Sequence, residues 1–261
     1  MHFTINQLNL HGEVLGPERG APILCIHGFP LSGALWRPVA DLLDDQYRLI
    51  IPDLRGFGAS AASDEASMRL YVEDCVALLN AIGESRPVTV AGMSMGGYIA
   101  FEFFRRARDR MASLVLIDTR PGADSEEARK GRLATAEKVL AQGSAVVADA
   151  MIDKLFAPNA PPDLKRRWRN TMAGANPRGV AAALKAMAAR PDSTPDLARI
   201  DAPTLIIVGE HDLITPPAES KAMHAAIARS VLETIPEAGH MAVVEQPRLV
   251  ADALRRFIAV G

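Results

Sequence analysis

The chain is predicted to fold as an α/β protein, a mostly parallel, doubly wound sheet carrying one inserted helical block. Three observations predict it. Short continuous apolar runs alternate with helical periodicity in residues 1–118 and again in 196–261. That is the pattern of strands buried on both faces and linked by helices. Residues 119–195 hold no β-like run and read as alanine-rich helices. Finally, Gly92-Met93-Ser94-Met95-Gly96 lies between a β-branched run and an apolar helical pattern. This strand–turn–helix context is the one a nucleophilic serine at a tight elbow requires.

The elements follow in order. Residues 3–15 alternate weakly and predict an opening hairpin with Gly12 near its turn. Ile23 to Ile26 is a strand and Leu35 to Leu43 a helix. Tyr47 to Ile51 is a strand that runs into the loop Asp53-Leu54-Arg55-Gly56-Phe57-Gly58. Met68 to Ile82 is helical through Leu70, Val72, Val76 and Leu79, with Gly83 as its C-cap. Thr89 to Ala91 enters the serine turn, a helix leaves it as far as about Arg106, and Leu114 to Ile117 forms the next strand. Helices near 125–142, 144–156, 162–173 and 177–189 are separated by Gly, Pro and Asn. A strand at Thr204 to Val208, a helix near 217–228, a strand at Val231 to Ile235 and a helix near 246–259 complete the chain. Residues 1–118 and 196–261 are therefore assigned to the core, and 119–195 to a helical cap.

Composition narrows the function. Of the 261 residues, 49% are hydrophobic and 23% charged, as in ordinary globular proteins, and the net charge of −2 offers no field for nucleic acid or an anionic membrane. The start, Met1-His2-Phe3-Thr4-Ile5-Asn6, has neither the basic nor the apolar region of a secretory signal. No apolar run nears the ~20 residues that span a bilayer. Cytoplasmic residence is the expectation. Cys25 and Cys75 give neither a disulfide framework nor metal-site spacing and are read as buried small apolar residues.

A serine needs a base to take its proton and a third group to orient that base. Asp212, in Gly209-Glu210-His211-Asp212, follows one strand, and His240, in Ala238-Gly239-His240-Met241, follows the next. Parallel strands present their carboxyl ends on one side, so Ser94, Asp212 and His240 are expected to meet there. Asp118 also ends a strand and is the alternative acid. The oxyanion of an acyl-transfer intermediate needs donors. One is the amide of Met95. The other comes from His27-Gly28-Phe29-Pro30, where Pro30 has no N–H, leaving the Phe29 amide.

With these segments the chain resembles the α/β-hydrolase fold family, in particular small bacterial carboxylesterases, over nearly its whole length. The likeness rests on His27-Gly28-Phe29-Pro30, Asp53-Leu54-Arg55-Gly56-Phe57-Gly58, Gly92-Met93-Ser94-Met95-Gly96-Gly97, Gly209-Glu210-His211-Asp212 and Gly239-His240. It implies a serine carboxylesterase that needs no cofactor and no metal, works on a small-molecule ester and exists as a monomer or small homo-oligomer. Enol-lactonases, carbon–carbon bond hydrolases and cofactor-free perhydrolases share the motifs, and a slow-turnover ligand-binding receptor of the same fold is the rival outside catalysis. Carboxylate-bearing substrates would call for a cation in the pocket, for which Arg120 and Arg178 are the candidates.

The remaining features read as structural. His27 shapes the oxyanion loop, Asp53 organises its own loop, and His211 points away from the site. The basic clusters at 105–108 and 165–169 close a helix and cover a solvated cap face. Leu213, Ile214 and Met241 flank the predicted catalytic positions, while Phe156 and Trp168 lie in the cap, and these five are the candidates to line the substrate pocket. With no polar constellation in the cap, small and largely apolar esters are the expected substrates.

Overall fold

The computed structural model describes residues 1–260. Eight strands form one sheet in the order β1-β2-β4-β3-β5-β6-β7-β8. They are β1 (His2–Ile5), β2 (Leu8–Leu15), β3 (Ala21–Ile26), β4 (Tyr47–Pro52), β5 (Val88–Met93), β6 (Met111–Ile117), β7 (Thr204–Gly209) and β8 (Ser230–Ile235). β1 and β2 run antiparallel to each other, β2 is antiparallel to β4, and all later pairs are parallel. The helices are α1 (Arg37–Leu43), α2 (Met68–Ala81), α3 (Met95–Arg106), α4 (Glu126–Gln142), α5 (Ala145–Leu155), α6 (Pro162–Ala173), α7 (Pro177–Ala188), α8 (Pro217–Ala226), α9 (Ala242–Glu245) and α10 (Pro247–Val260).

Successive strand residues point to opposite faces, and the apolar runs divide accordingly. Leu24, Ile26, Val90, Leu114, Leu116 and Ile206 face the layer that holds α2 and α3. Ile23, Cys25, Ala91, Met93, Val115, Ile117, Leu205 and Ile207 face the layer that holds α1 and α10. Strands with helices on both faces have no polar side, which is why these runs are continuous in sequence. Helices α4 to α7 all fall between β6 and β7, α4 packing on α7 and α5 on α6.

One expectation fails at the opening hairpin. Gly12 lies inside β2, opposite Pro52. The turn is made by Asn6 and Gln7, at φ of 49° and 65°. Two consecutive left-handed residues suit the twist of a tight hairpin, and a glycine search overlooks an Asn-Gln pair.

The β4 exit loop is tied down by a buried ion pair. Arg55 Nε donates to Asp74 Oδ2 at 2.6 Å and its Nη2 to Oδ1 at 2.7 Å, and Asn6 adds a further bond to Oδ1. Asp74→Ala would leave a buried guanidinium without its partner. It is expected to cost about 3–5 kcal/mol of stability, read as a fall in denaturation midpoint.

The chain winds one way from β3 to β4 and the other way from β3 to β5. In open α/β sheets the ligand crevice lies beyond the carboxyl ends of the strands at such a reversal. The loop after β3 and the serine after β5 both emerge there.

Candidate active site

Ser94 sits between β5 and α3 at φ 55° and ψ −114°. This is a strained backbone for a residue with a side chain, costing of order 1–3 kcal/mol. The turn closes so tightly that a Cβ on Gly92 would overlap the Gly96 carbonyl, and one on Gly96 would overlap that of Ile26. Only glycine fits at either place. The strained φ lifts the hydroxyl off the sheet, and His240 Nε2 accepts from it at 2.8 Å.

His240 follows β8 and is buried. Its Nδ1 lies 2.9 Å from Asp212 Oδ2. A carboxylate can only accept, so the proton belongs on Nδ1 and the Nε2 lone pair faces Ser94. Asp212 follows β7. Its Oδ1 accepts from the amides of Ile214 and Thr215 at 2.8 and 3.0 Å, and its Oδ2 from the Thr215 hydroxyl at 2.7 Å. Burial opposes its ionisation, but His240 and the Thr215 donors outweigh it and hold the carboxyl below its ordinary range. Burial likewise disfavours a charged His240, yet the Asp212 charge prevails and raises the imidazole above its usual value.

The alternative acid is differently placed. Asp118 Oδ1 accepts from the Gly209 amide at 2.8 Å and Oδ2 from the Ala242 amide at 3.3 Å. Burial and the neighbouring Asp212 charge push it up to about 8. Two carboxyls whose environments drive them apart take different roles; the one in contact with the imidazole is Asp212.

The loop after β3 closes against the serine. A Cβ on Gly28 would come within 3.2 Å of the Ser94 Cβ. His27 is buried, donates from Nδ1 to the Gly28 carbonyl at 2.9 Å and accepts at Nε2 from the Leu54 amide at 3.1 Å. Burial lowers its pKa, so it stays neutral. Asp53 accepts from the amides of Gly33 and Ala59 and contacts His11, all within 2.9 Å. His27 and Asp53 thus brace the loops. Among the described residues no loop or turn carbonyl accepts from the amides of Phe29 or Met95.

The five pocket candidates separate. Leu213 is 69% exposed, because the loop wraps its Ile214 and Thr215 amides onto Asp212 and turns residue 213 outward. Leu213 therefore lines no enclosed pocket. Ile214 is partly buried, while Met241, Phe156 and Trp168 are buried in the apolar layer that holds α1 and α10. His211 is exposed and turned toward Glu210. Arg178 pairs with Asp64 on the surface at 2.7 Å, and Arg120 pairs with Asp124 at 3.1 Å.

Three further residues support the site without belonging to any of its motifs. Thr215 fixes Asp212, and its place three residues on from that aspartate was the available signal. The Thr119 hydroxyl donates to the Ser94 carbonyl at 2.8 Å. Glu245 accepts from the amides of Ala157 and Gly239, each at 2.8 Å, and so ties the inserted helices to the residue before His240. A Cβ on Gly239 would come within 2.7 Å of the Ala157 nitrogen. Nothing in the sequence around Glu245 announces that contact.

Residues 21–247 match the family described as the alpha/beta hydrolase fold. The chain belongs to that family. A thermophilic esterase from Thermogutta terrifontis, solved with malate bound, is 39% identical, with a TM-score of 0.96 over 100% of this chain and 98% of that one. The putative 2-succinyl-6-hydroxy-2,4-cyclohexadiene-1-carboxylate synthase of Bacillus subtilis (strain 168) is 30% identical over 93% of this chain and 92% of its own length. The 3-oxoadipate enol-lactonase 1 of Acinetobacter baylyi (strain ATCC 33305 / BD413 / ADP1) is 26% identical over 94% and 91%. The fold and its esterase and lactonase relatives support a hydrolase. No helix among the described residues is long and apolar enough to cross a membrane.

Proposed function

We propose that the protein is a serine carboxylesterase acting on small, largely apolar short-chain esters. The observation that carries this reading is the hydrogen-bonded chain from Ser94 Oγ through His240 to Asp212, at 2.8 and 2.9 Å. In the mechanism, Ser94 attacks the ester carbonyl as His240 Nε2 takes its proton. Asp212 holds the imidazole and stabilises the imidazolium. The amides of Phe29 and Met95 receive the developing oxyanion. His240 then protonates the departing alcohol. In the second half a water molecule, deprotonated by the same histidine, releases the acid.

The helices between β6 and β7 serve in this reading as a cap over the site. The choice of apolar esters is supported at one of the two candidate cations. Arg178 is spent on a surface aspartate, while Arg120 shares the single charge of Asp124 with Arg132 and Arg190 and stays the one candidate partner for a substrate carboxylate. A series of p-nitrophenyl esters of rising chain length, run beside a lactone and a dienoate-type diketone, tests this. The short acyl esters are expected to give the highest kcat/KM. Preference for the lactone or the diketone by orders of magnitude would overturn it.

The pH dependence has a definite sign. The base must be neutral in the free enzyme, and Asp212 raises its pKa despite burial. The kcat/KM profile is therefore expected to rise with pH through a midpoint above the ordinary histidine value of about 6.5. Initial rates across the acid range locate that limb.

A further inference from the structure

One short segment touches all three parts of the site. At the exit of β6, the Ile117 carbonyl accepts from the Ser94 amide at 2.9 Å, and the Thr119 hydroxyl donates to the Ser94 carbonyl at 2.8 Å. Between them, Asp118 takes one amide from each of the other two loops. Gly209, bound to its Oδ1, lies three residues before Asp212, and Ala242, near its Oδ2, lies two after His240. The Asp118 amide in turn donates to the Ile207 carbonyl at 3.0 Å. Asp118 and Thr119 are fully buried, and Asp118 holds a left-handed backbone at φ 46°.

We propose that Asp118 and Thr119 are positioning residues, a bracket that sets the separation of nucleophile, base and acid while touching none of the reacting atoms. This rests on the serine-hydrolase reading above. A fully buried carboxyl is a costly way to fill space, since an apolar side chain would pack there without desolvation. The hydrogen-bond partners of Asp118 are backbone amides, with no arginine or lysine among them. The titratable groups that act on it are Asp212 and His240, and the imidazole donates its Nδ1–H hydrogen bond to Asp212 instead. A counter-ion role therefore does not account for Asp118. Two acceptors aimed at two loops do, because both lone-pair sets are used to hold backbone in place. Thr119 performs the same service for the third loop.

Displacing a reacting group by about 1 Å costs on the order of 10²-fold in rate. In Asp118→Asn the amide can still accept from Gly209 but presents N–H to the Ala242 N–H. We expect kcat on p-nitrophenyl butyrate to fall about 10²-fold with KM near the parent value. Thr119→Val should lose less, and Thr119→Ser, which keeps the hydroxyl, should restore it. The His240 Nδ1 proton, followed by NMR on histidine-labelled protein, should shift in Asp118→Asn.

The proposal is overturned if Asp118→Asn turns over at the parent rate. It is equally overturned if the variant merely melts lower, with the molecules still able to react with a phosphonate keeping the parent kcat. Should Asp118→Asn fail to fold, the Thr119→Val and Thr119→Ser pair decides by kcat alone. Were the parent protein no ester hydrolase at all, the function reading would fall by itself. The NMR arm would still judge the bracket, an unmoved His240 proton counting against it.

Discussion

Ser94→Ala protein is expected to lose ester turnover by about 10⁴-fold or more, with a melting temperature within a few degrees of the parent. The hydroxyl is the group that His240 Nε2 contacts at 2.8 Å, and alanine offers nothing to deprotonate. Stability should survive because alanine keeps the Cβ, and therefore the strain at φ 55°, without altering the glycine contacts that shape the turn. His240→Ala should cost about as much, and the double variant little more, since nucleophile and base act as one unit. Initial rates on p-nitrophenyl acetate and butyrate measure this. A Ser94→Ala rate equal to that of the parent would remove the nucleophile assignment.

Asp212→Asn is expected to reduce kcat by about 10⁴-fold while leaving KM nearly unchanged. The asparagine oxygen can still accept from the Ile214 and Thr215 amides, so the loop should keep its shape. Its NH₂ would then face His240 Nδ1, where the parent carboxylate accepts a hydrogen bond at 2.9 Å. The imidazole would have to move its proton to Nε2, and a protonated Nε2 cannot take one from Ser94. Removing the negative charge also removes the main force that raises the His240 pKa. The residual activity should therefore show its acid limb at lower pH than the parent. This outcome separates the two acidic candidates, because an enzyme relying on Asp118 would tolerate the change at 212. The bracket variant at Asp118, by contrast, should lose less.

Much of the architecture was legible because both its periods are local. Ile23 to Ile26 and Leu205 to Val208 are continuous apolar runs, and a run of that length bounded by turn residues reads as a strand with helices on both faces. The inserted helices were legible from their Gly, Pro and Asn separators, and α4 to α7 fall within a few residues of the expected spans. The convergence of Ser94, Asp212 and His240 at one sheet edge followed from parallel strand direction alone. What escaped was set by contacts distant in sequence. Asn6 and Gln7 turn without glycine, both holding the left-handed region that glycine usually takes. Leu213 points outward because its neighbours' amides are drawn onto Asp212. The roles of Thr119, Asp118 and Glu245 exist only after three loops meet, and no spacing along the chain encodes a meeting.

One serine hydroxyl, activated by His240, is expected to react with acyl-like electrophiles. Treating the protein with diethyl p-nitrophenyl phosphate and mapping the adduct by peptide mass tests it most directly. A single diethylphosphoryl group on Ser94 per chain is expected, formed at a rate that rises with pH along the same limb as kcat/KM and that collapses in His240→Ala. Modification at another residue, or an undiminished rate in His240→Ala, would rule out a His240-activated Ser94.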